Sequence, residues 1–335
     1  MKQASFESIL LRILLVTTPL AGLTSGCIGT SSCDGDDDHT QVFTLDAAGD
    51  GSTSNDGVPD GGVTTFNCAD ICRERVGAGN NITYCSPTKD ENGNDAVSCT
   101  FTVICEGRRP AGLASRPPSS AANEVGRFFA RVSHNEAASV DAFRVLRDEL
   151  RAHSAPRTLV RASIRSARDE VRHARMTAAL AKRYGAAAER PTVAPRPIRP
   201  LADIAAENAA EGCVRETYGA LVATWQARAA ADPVVRAVMR RIARDEARHA
   251  ALGWKVARWA EARLDHTSRA RVAEARAEAW RAITDAAAQA VPESLVRHAG
   301  LPRSAHALAM LDELARSLSA RLPDSLRAAP IVLAR

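Results

Sequence analysis

Asp169-Glu170-Val171-Arg172-His173 and Asp245-Glu246-Ala247-Arg248-His249 are two copies of one pattern, Asp-Glu-x-Arg-His, each inside a long helical stretch. A helix turns about 100° per residue, so a Glu and a His three apart share a face, one turn from each other. A carboxylate and an imidazole so placed can reach one metal ion. The copies lie 76 residues apart, from Glu170 to Glu246, and offer two half-sites. Helix bundles that hold a metal pair use this Glu-x-x-His arrangement twice, with one further Glu from each of two other helices.

Candidates for those two carboxylates follow from spacing and from helix faces. Glu136 precedes Glu170 by 34 residues, and Glu211 precedes Glu246 by 35. Either distance suits a helix, a short turn and a helix returning to the same level. With Glu136 as zero, Val125, Phe129, Val132, Val140, Phe143 and Leu150 fall within about 40° of it, whereas His134 and Glu149 point away. With Glu211 as zero, Ile204, Val214, Tyr218, Val222 and Trp225 fall within about 60°, and Glu216 falls about 140° round, on the outer face. Glu207, one turn before Glu211, shares the inner face as an outer partner or alternative ligand.

Both candidates thus sit in apolar stripes, where a carboxylate is normally paired or bound to metal. Four glutamates and two histidines make an oxygen-rich donor set, suited to iron or manganese more than to tetrahedral zinc. The alternative is a metal-free buried network with Arg172, Arg215 and Arg248.

The stretch from about 123 to 264 resembles the ferritin-like carboxylate-bridged diiron proteins, and the doubled motif is similar to that of the bacterial multicomponent monooxygenases. The resemblance implies two iron ions, or manganese, bridged by Glu170 and Glu246. His173 and His249 would each bind one ion, with Glu136 and Glu211 as terminal carboxylates. It further implies that Asp169 and Asp245 accept hydrogen bonds from the ligand histidine of the opposite motif, which fixes the ring through its other nitrogen. Arg172, Arg248, Glu207 and Tyr218 complete the expected surroundings. The motifs specify a site, not a reaction.

The remainder of the 335 residues is organised around this region. Lys2 and Arg12 accompany an apolar run over 13–23, followed by Thr24-Ser25-Gly26-Cys27, which reads as a signal peptide over 1–26. Ser-Gly-Cys resembles the cleavage box of bacterial lipoproteins, which implies a lipid on Cys27 and an exported, membrane-anchored protein. Ordinary secretory cleavage is the alternative. Residues 28–72 carry nine Asp and no Lys or Arg, so 27–66 is expected to be a flexible acidic tether. Cys33, Cys68, Cys72, Cys85, Cys99 and Cys105 suit disulfides in an oxidising compartment, with most of them in a small module over 67–107. Zinc is the alternative there, but paired C-x-x-C knuckles are lacking, which also excludes a rubredoxin-type electron carrier.

A proline-bearing linker over 108–122 leads to the bundle, 123–265. Four helices are expected at about 123–153, 154–185, 203–230 and 232–264, with the second started by Ser154 and Pro156. Short loop, long crossover, short loop is ferritin-like connectivity. Two more helices, 268–290 and 304–321, lie in a C-terminal extension over 266–335. The expected fold is therefore mainly α. Cys213 reads as a buried structural thiol. The net charge of +5 is carried by helices whose Arg and Glu are expected to alternate on solvated faces, and no aromatic-interleaved basic patch suggests nucleic acid.

The function expected is a diiron oxidoreductase consuming dioxygen or peroxide. As an oxygenase it would need an external electron donor, because the chain carries no ferredoxin, flavin or haem motif. The alternatives are a ferroxidase-type or metal-carrying bundle without small-molecule turnover, and a structural surface lipoprotein with a relic site.

Overall fold

The computed structural model describes residues 39–44, 71, 81–90, 93–102, 108, 110, 113 and 123–319. Cys27, Cys33, Cys68, Cys72 and Cys105 lie outside them, as does the signal-peptide stretch. By internal contacts the chain forms two units, 35–104 and the remainder.

The smaller unit holds an antiparallel sheet of β1 (His39–Thr44), β2 (Asn81–Lys89) and β3 (Asp95–Thr102), in the order β1-β3-β2. Strand β1 lies inside the stretch expected to be a tether. Its His-Thr-Gln-Val-Phe-Thr sequence is rich in β-branched and aromatic residues, which outweighed the acidic surroundings. Between β2 and β3, Gly93 takes φ +82° and the Asp90 side chain accepts the Asn94 N–H at 2.9 Å, closing the hairpin. The register sets Cys85 directly opposite Cys99, a separation within disulfide reach.

The larger unit is helical: α1 (Glu124–Ala152), α2 (Arg157–Arg183), α3 (Leu201–Glu207), α4 (Glu216–Ala229), α5 (Pro233–Glu261), α6 (His266–Ala288) and α7 (Ser304–Ser319). No described helix is long and apolar enough to cross a membrane. Asn123 caps α1 by accepting the Val125 and Gly126 N–H groups, and Asp232 caps α5 ahead of Pro233. Ser154 does not cap α2. It takes φ +55° in the turn, and Pro156 stands at the helix start without a side-chain cap.

Helix α1 packs along α2, α4 along α5, and α2 also meets α5. One apolar cluster includes Phe129, Leu180, Val235, Met239 and Leu295, and a second includes Phe143, Leu150, Ile204, Leu252 and Trp259. A third joins α6 and α7 to the rest through Cys213, Leu221, Trp254, Trp280, Leu311 and Leu314. Each fully buried large side chain is worth roughly 1.5–3 kcal/mol.

Two features depart from the expected pattern and matter below. The helix expected over 203–230 is interrupted between α3 and α4 by a π-helical turn, Asn208–Arg215. Furthermore, Arg and Glu do not alternate on the exposed faces of α2 and α5. Every acid on these helices, Asp169, Glu170, Asp245, Glu246 and Glu261, is buried. The charged residues on their exposed faces are all cations.

Candidate metal centre

Six side chains from α1, α2, α4 and α5 converge in the interior. Glu136, Glu170, His173 and Glu246 form one group and Glu216, Glu246 and His249 another, each with one atom per residue within 4.8 Å of the others. Glu246 belongs to both. His173 Nδ1 lies 3.3 Å from Glu136 Oε2, 3.6 Å from Glu170 Oε2 and 3.2 Å from Glu246 Oε1. His249 Nδ1 lies 2.9 Å from Glu170 Oε1, 3.5 Å from Glu246 Oε1 and 3.8 Å from Glu216 Oε2. Glu170 and Glu246 therefore each face both imidazoles, the placement a bridging carboxylate needs.

The histidines are aimed by their other nitrogen. His173 Nε2 faces Asp245 Oδ2 at 3.3 Å, and His249 Nε2 faces Asp169 Oδ2 at 3.4 Å. With the Nε2–H donating to the aspartate, the Nδ1 lone pair is left pointing inward. Each aspartate is held in turn by both arginines of the motifs. Arg172 pairs with Asp169 and reaches Asp245 at 3.3 Å, while Arg248 pairs with Asp245 and reaches Asp169 at 3.0 Å. The edge of Phe143 packs on His249, with ring centroids 5.0 Å apart.

Glu211 is not in the cluster; Glu216 is. The Glu216 side chain is 2% exposed, whereas Glu211 pairs with Arg215 at 3.2 Å. The cause is the π-helical turn. Its i→i+5 bonding, seen where the Glu216 N–H donates to the Glu211 carbonyl, inserts one residue into the turn. One residue is about 100°, which brings Glu216 from the outer face to the inner one. Gly212 makes this turn possible by lying against Gly253 of α5, with the Asn208 amide donating to the Gly253 carbonyl at 2.9 Å.

Two further expectations are corrected. Glu207 does not approach the centre: it pairs with Arg199, which also holds the buried Glu149 at 2.6 Å, and with the buried Arg108 at 3.8 Å. The helix-wheel placement missed this because Arg108 and Arg199 supply a separate network at that level. Tyr218 packs against the apolar cluster under α6 and α7, displaced by the same π turn. Cys213 is buried and free, its thiol pushed up to about 12 by burial.

The donor set fits metal. His173 Nδ1, His249 Nδ1, Glu170 Oε2 and both Glu216 oxygens are buried without a hydrogen-bond partner among the described residues. Such orphans are expensive unless something binds them. Metal–ligand bonds of about 2.1 Å put neighbouring donors about 3 Å apart, matching the contacts between these atoms. These buried groups could hold metal ions. Comparisons of the chain with protein-family models, with curated proteins and with solved structures returned no match.

Protonation follows from the same geometry. Burial, reinforced by Glu170, holds the Glu136 carboxyl well above its usual range, and burial with Glu246 does the same to Glu216. Burial works against charge on both imidazoles, but carboxylates outweigh it: chiefly Glu136 for His173 and Glu246 for His249. Burial also opposes ionisation of Glu246, yet the histidines hold it well below the usual range. Divalent ions binding here would displace protons from the raised groups, Glu136, Glu216 and the two imidazoles. Raised groups must lose protons to bind, so affinity rises with pH. Calorimetric titration in buffers of different ionisation enthalpy measures the release.

Asp169 gives a second expectation. Burial opposes its charge, but bonds from His249, Arg248 and Arg172 lower it to about 2, against an ordinary 3.8. A depressed carboxylate stabilises the fold above its unfolded value and ceases to as pH falls through its folded one. Roughly 2 kcal/mol should be lost between pH ~4 and ~2, and Asp169→Asn should flatten that part of a denaturation-versus-pH curve.

Proposed function

We propose that this chain is a dimetal, diiron-type oxidoreductase built on a ferritin-like four-helix bundle, reacting with dioxygen or peroxide. The observation that carries the reading is the pair of Glu/His groups joined through Glu246, with Glu170 facing both histidines and the unpartnered Nδ1 atoms turned inward. Glu136 and His173 would hold one ion, Glu216 and His249 the other, with Glu170 and Glu246 between them. Iron suits the oxygen-rich set, and manganese shares its preferences. Redox-active ions held there supply the electrons for the reaction.

The chain's own residues do the rest. Asp169 and Asp245 fix the imidazoles, and Arg172 and Arg248 keep those aspartates ionised. Beside Glu136, Glu170 and Glu246 lies a cavity of about 30 Å³, lined also by Val132, Gly219, Ala223, Gln226, Met239 and Ile242. It has room for only a very small molecule. Export with a lipid on Cys27 is proposed from the 24–27 box alone.

Metal analysis of the full chain, purified reduced and iron-replete, tests the reading: about two ions per chain are expected. Rapid mixing of the ferrous form with dioxygen, or with peroxide, should then give an optical transient and oxidation. A folded, metal-free protein would refute the reading, and bound iron inert to both oxidants would leave a carrier instead of an enzyme.

A further inference from the structure

The cations of α2 and α5 form one surface. Arg161, Arg165, Arg168, Arg172 and Arg175 recur at three- and four-residue steps and fall within an arc of about 80° on α2. Arg241, Arg244, Arg248 and Lys255 do the same on α5. The cross-contacts of Arg172 with Asp245 and of Arg248 with Asp169 place the two stripes side by side and antiparallel. Arg161, Arg165, Arg168, Arg175, Arg241, Arg244 and Lys255 are exposed, and the Arg172 side chain is 42% exposed. Among the described residues, no carboxylate pairs with Arg161, Arg165, Arg168, Arg175 or Arg244.

This is not the ordinary surface of the chain. Other helices carry acids beside exposed cations, as with Arg144 and Asp141 or Arg316 with Asp312 and Glu313. Arg172, Arg241 and Arg248 are offset by the buried Asp169 and Asp245. Like charges at these steps repel, and the repulsion among the remaining cations, along about 20 Å of two adjacent helices, calls for an anionic partner. Eight of the nine cations are arginines, which grip carboxylates in two-pronged fashion. An interfacial membrane helix would need an exposed apolar flank to insert, and among the described residues of α2 and α5 Val234 is the one large apolar side chain that is exposed.

The position narrows the partner. Arg172 and Arg248 touch Asp245 and Asp169, which touch the inward-aimed histidines. The surface is thus two side chains from the candidate centre, and the sequence shows no ferredoxin, flavin or haem motif. We infer that the paired arginine stripes of α2 and α5 dock an acidic protein that delivers electrons one at a time to the centre beneath. The partner's role rests on the oxidoreductase reading; the docking surface does not.

Two probes separate these parts. Fluorescent oligoglutamate, titrated into the full chain, should bind in a salt-dependent manner. Reversing three charges that touch no site residue, Arg165→Glu, Arg168→Glu and Arg244→Glu together, should weaken binding about tenfold or more while metal content and helicity stay unchanged. Unaltered oligoglutamate affinity would overturn the surface assignment. On the oxidised, metal-loaded protein, dithionite (an anion) should reduce the centre more slowly in the triple variant and at high salt. Reduced methyl viologen (a cation) should respond in the opposite sense. Oligoglutamate binding with both reductants indifferent to the variant would overturn the electron-delivery role alone. Arginine-dependent sedimentation with phosphatidylglycerol vesicles at physiological salt, without oligoglutamate binding, would replace the acidic protein by a lipid surface. A chain that binds oligoglutamate but holds no metal would refute the dimetal reading and leave the surface standing.

Discussion

Glu246→Ala is expected to empty the centre, lowering bound metal from about two ions per chain to near none. Glu246 belongs to both ligand groups and faces both imidazoles, at 3.2 and 3.5 Å, so its loss removes a donor from each ion at once. Glu216→Ala should be milder, leaving about one ion beside Glu136 and His173. Glu211→Ala should leave the full complement, because that side chain pairs with Arg215. Elemental analysis of the three proteins, with circular dichroism to verify folding, gives the ranking. Equal losses in Glu211→Ala and Glu216→Ala would contradict the register set by the π-helical turn.

Gly253→Ala should be the most damaging Gly→Ala change among the described glycines of the helical unit. A Cβ at Gly253 would stand 2.1 Å from the Gly212 carbonyl oxygen and 2.9 Å from the Gly212 Cα, and backbone cannot swing aside as a side chain can. Overpacking of this kind costs about 1–3 kcal/mol, sometimes more. The strain falls on the turn that rotates Glu216 inward, so metal bound beside His249 should weaken along with stability. Gly219→Ala is the control: a Cβ there meets nothing within 4 Å, and a helical Gly→Ala change stabilises by about 0.5–1 kcal/mol. Chemical denaturation of the two variants, with and without metal, should give opposite signs.

Glu136, Glu170, His173, Glu246 and His249 were all legible in the sequence because each sits in unbroken α-helix, where 100° per residue holds over many turns. Glu216 was not, since a π-helical turn breaks that rule and leaves only faint traces. Asn208 and Gly212 are poor helix formers in the middle of a helical run. A count of levels was the stronger signal. Glu246 lies thirteen residues past Pro233, at the start of α5, and Glu216 lies thirteen before Ala229, at the end of α4. Antiparallel helices joined by a short loop put such residues at one height, and Glu211 falls five residues too far along.

The basic surface was hidden for another reason. Asp169, Glu170, Asp245 and Glu246 count toward charge balance in the sequence, but the buried aspartates pair only with Arg172, Arg241 and Arg248, and the buried glutamates face the histidines, so the other arginines of the stripes stay without an acid among the described residues. Strand β1 escaped notice because a six-residue run of β-prone residues was averaged into an acidic neighbourhood. Composition describes a stretch; pairing with β3 depends on a few side chains within it.

Anomalous diffraction at the iron edge, from crystals of the iron-loaded full chain, reads the centre most directly. Two peaks about 3.5–4 Å apart are expected, one beside Glu136 and His173 and the other beside Glu216 and His249, with the carboxylates of Glu170 and Glu246 between them. A well-ordered interior with no anomalous peak, its six side chains satisfied by one another and by the neighbouring arginines, would contradict it.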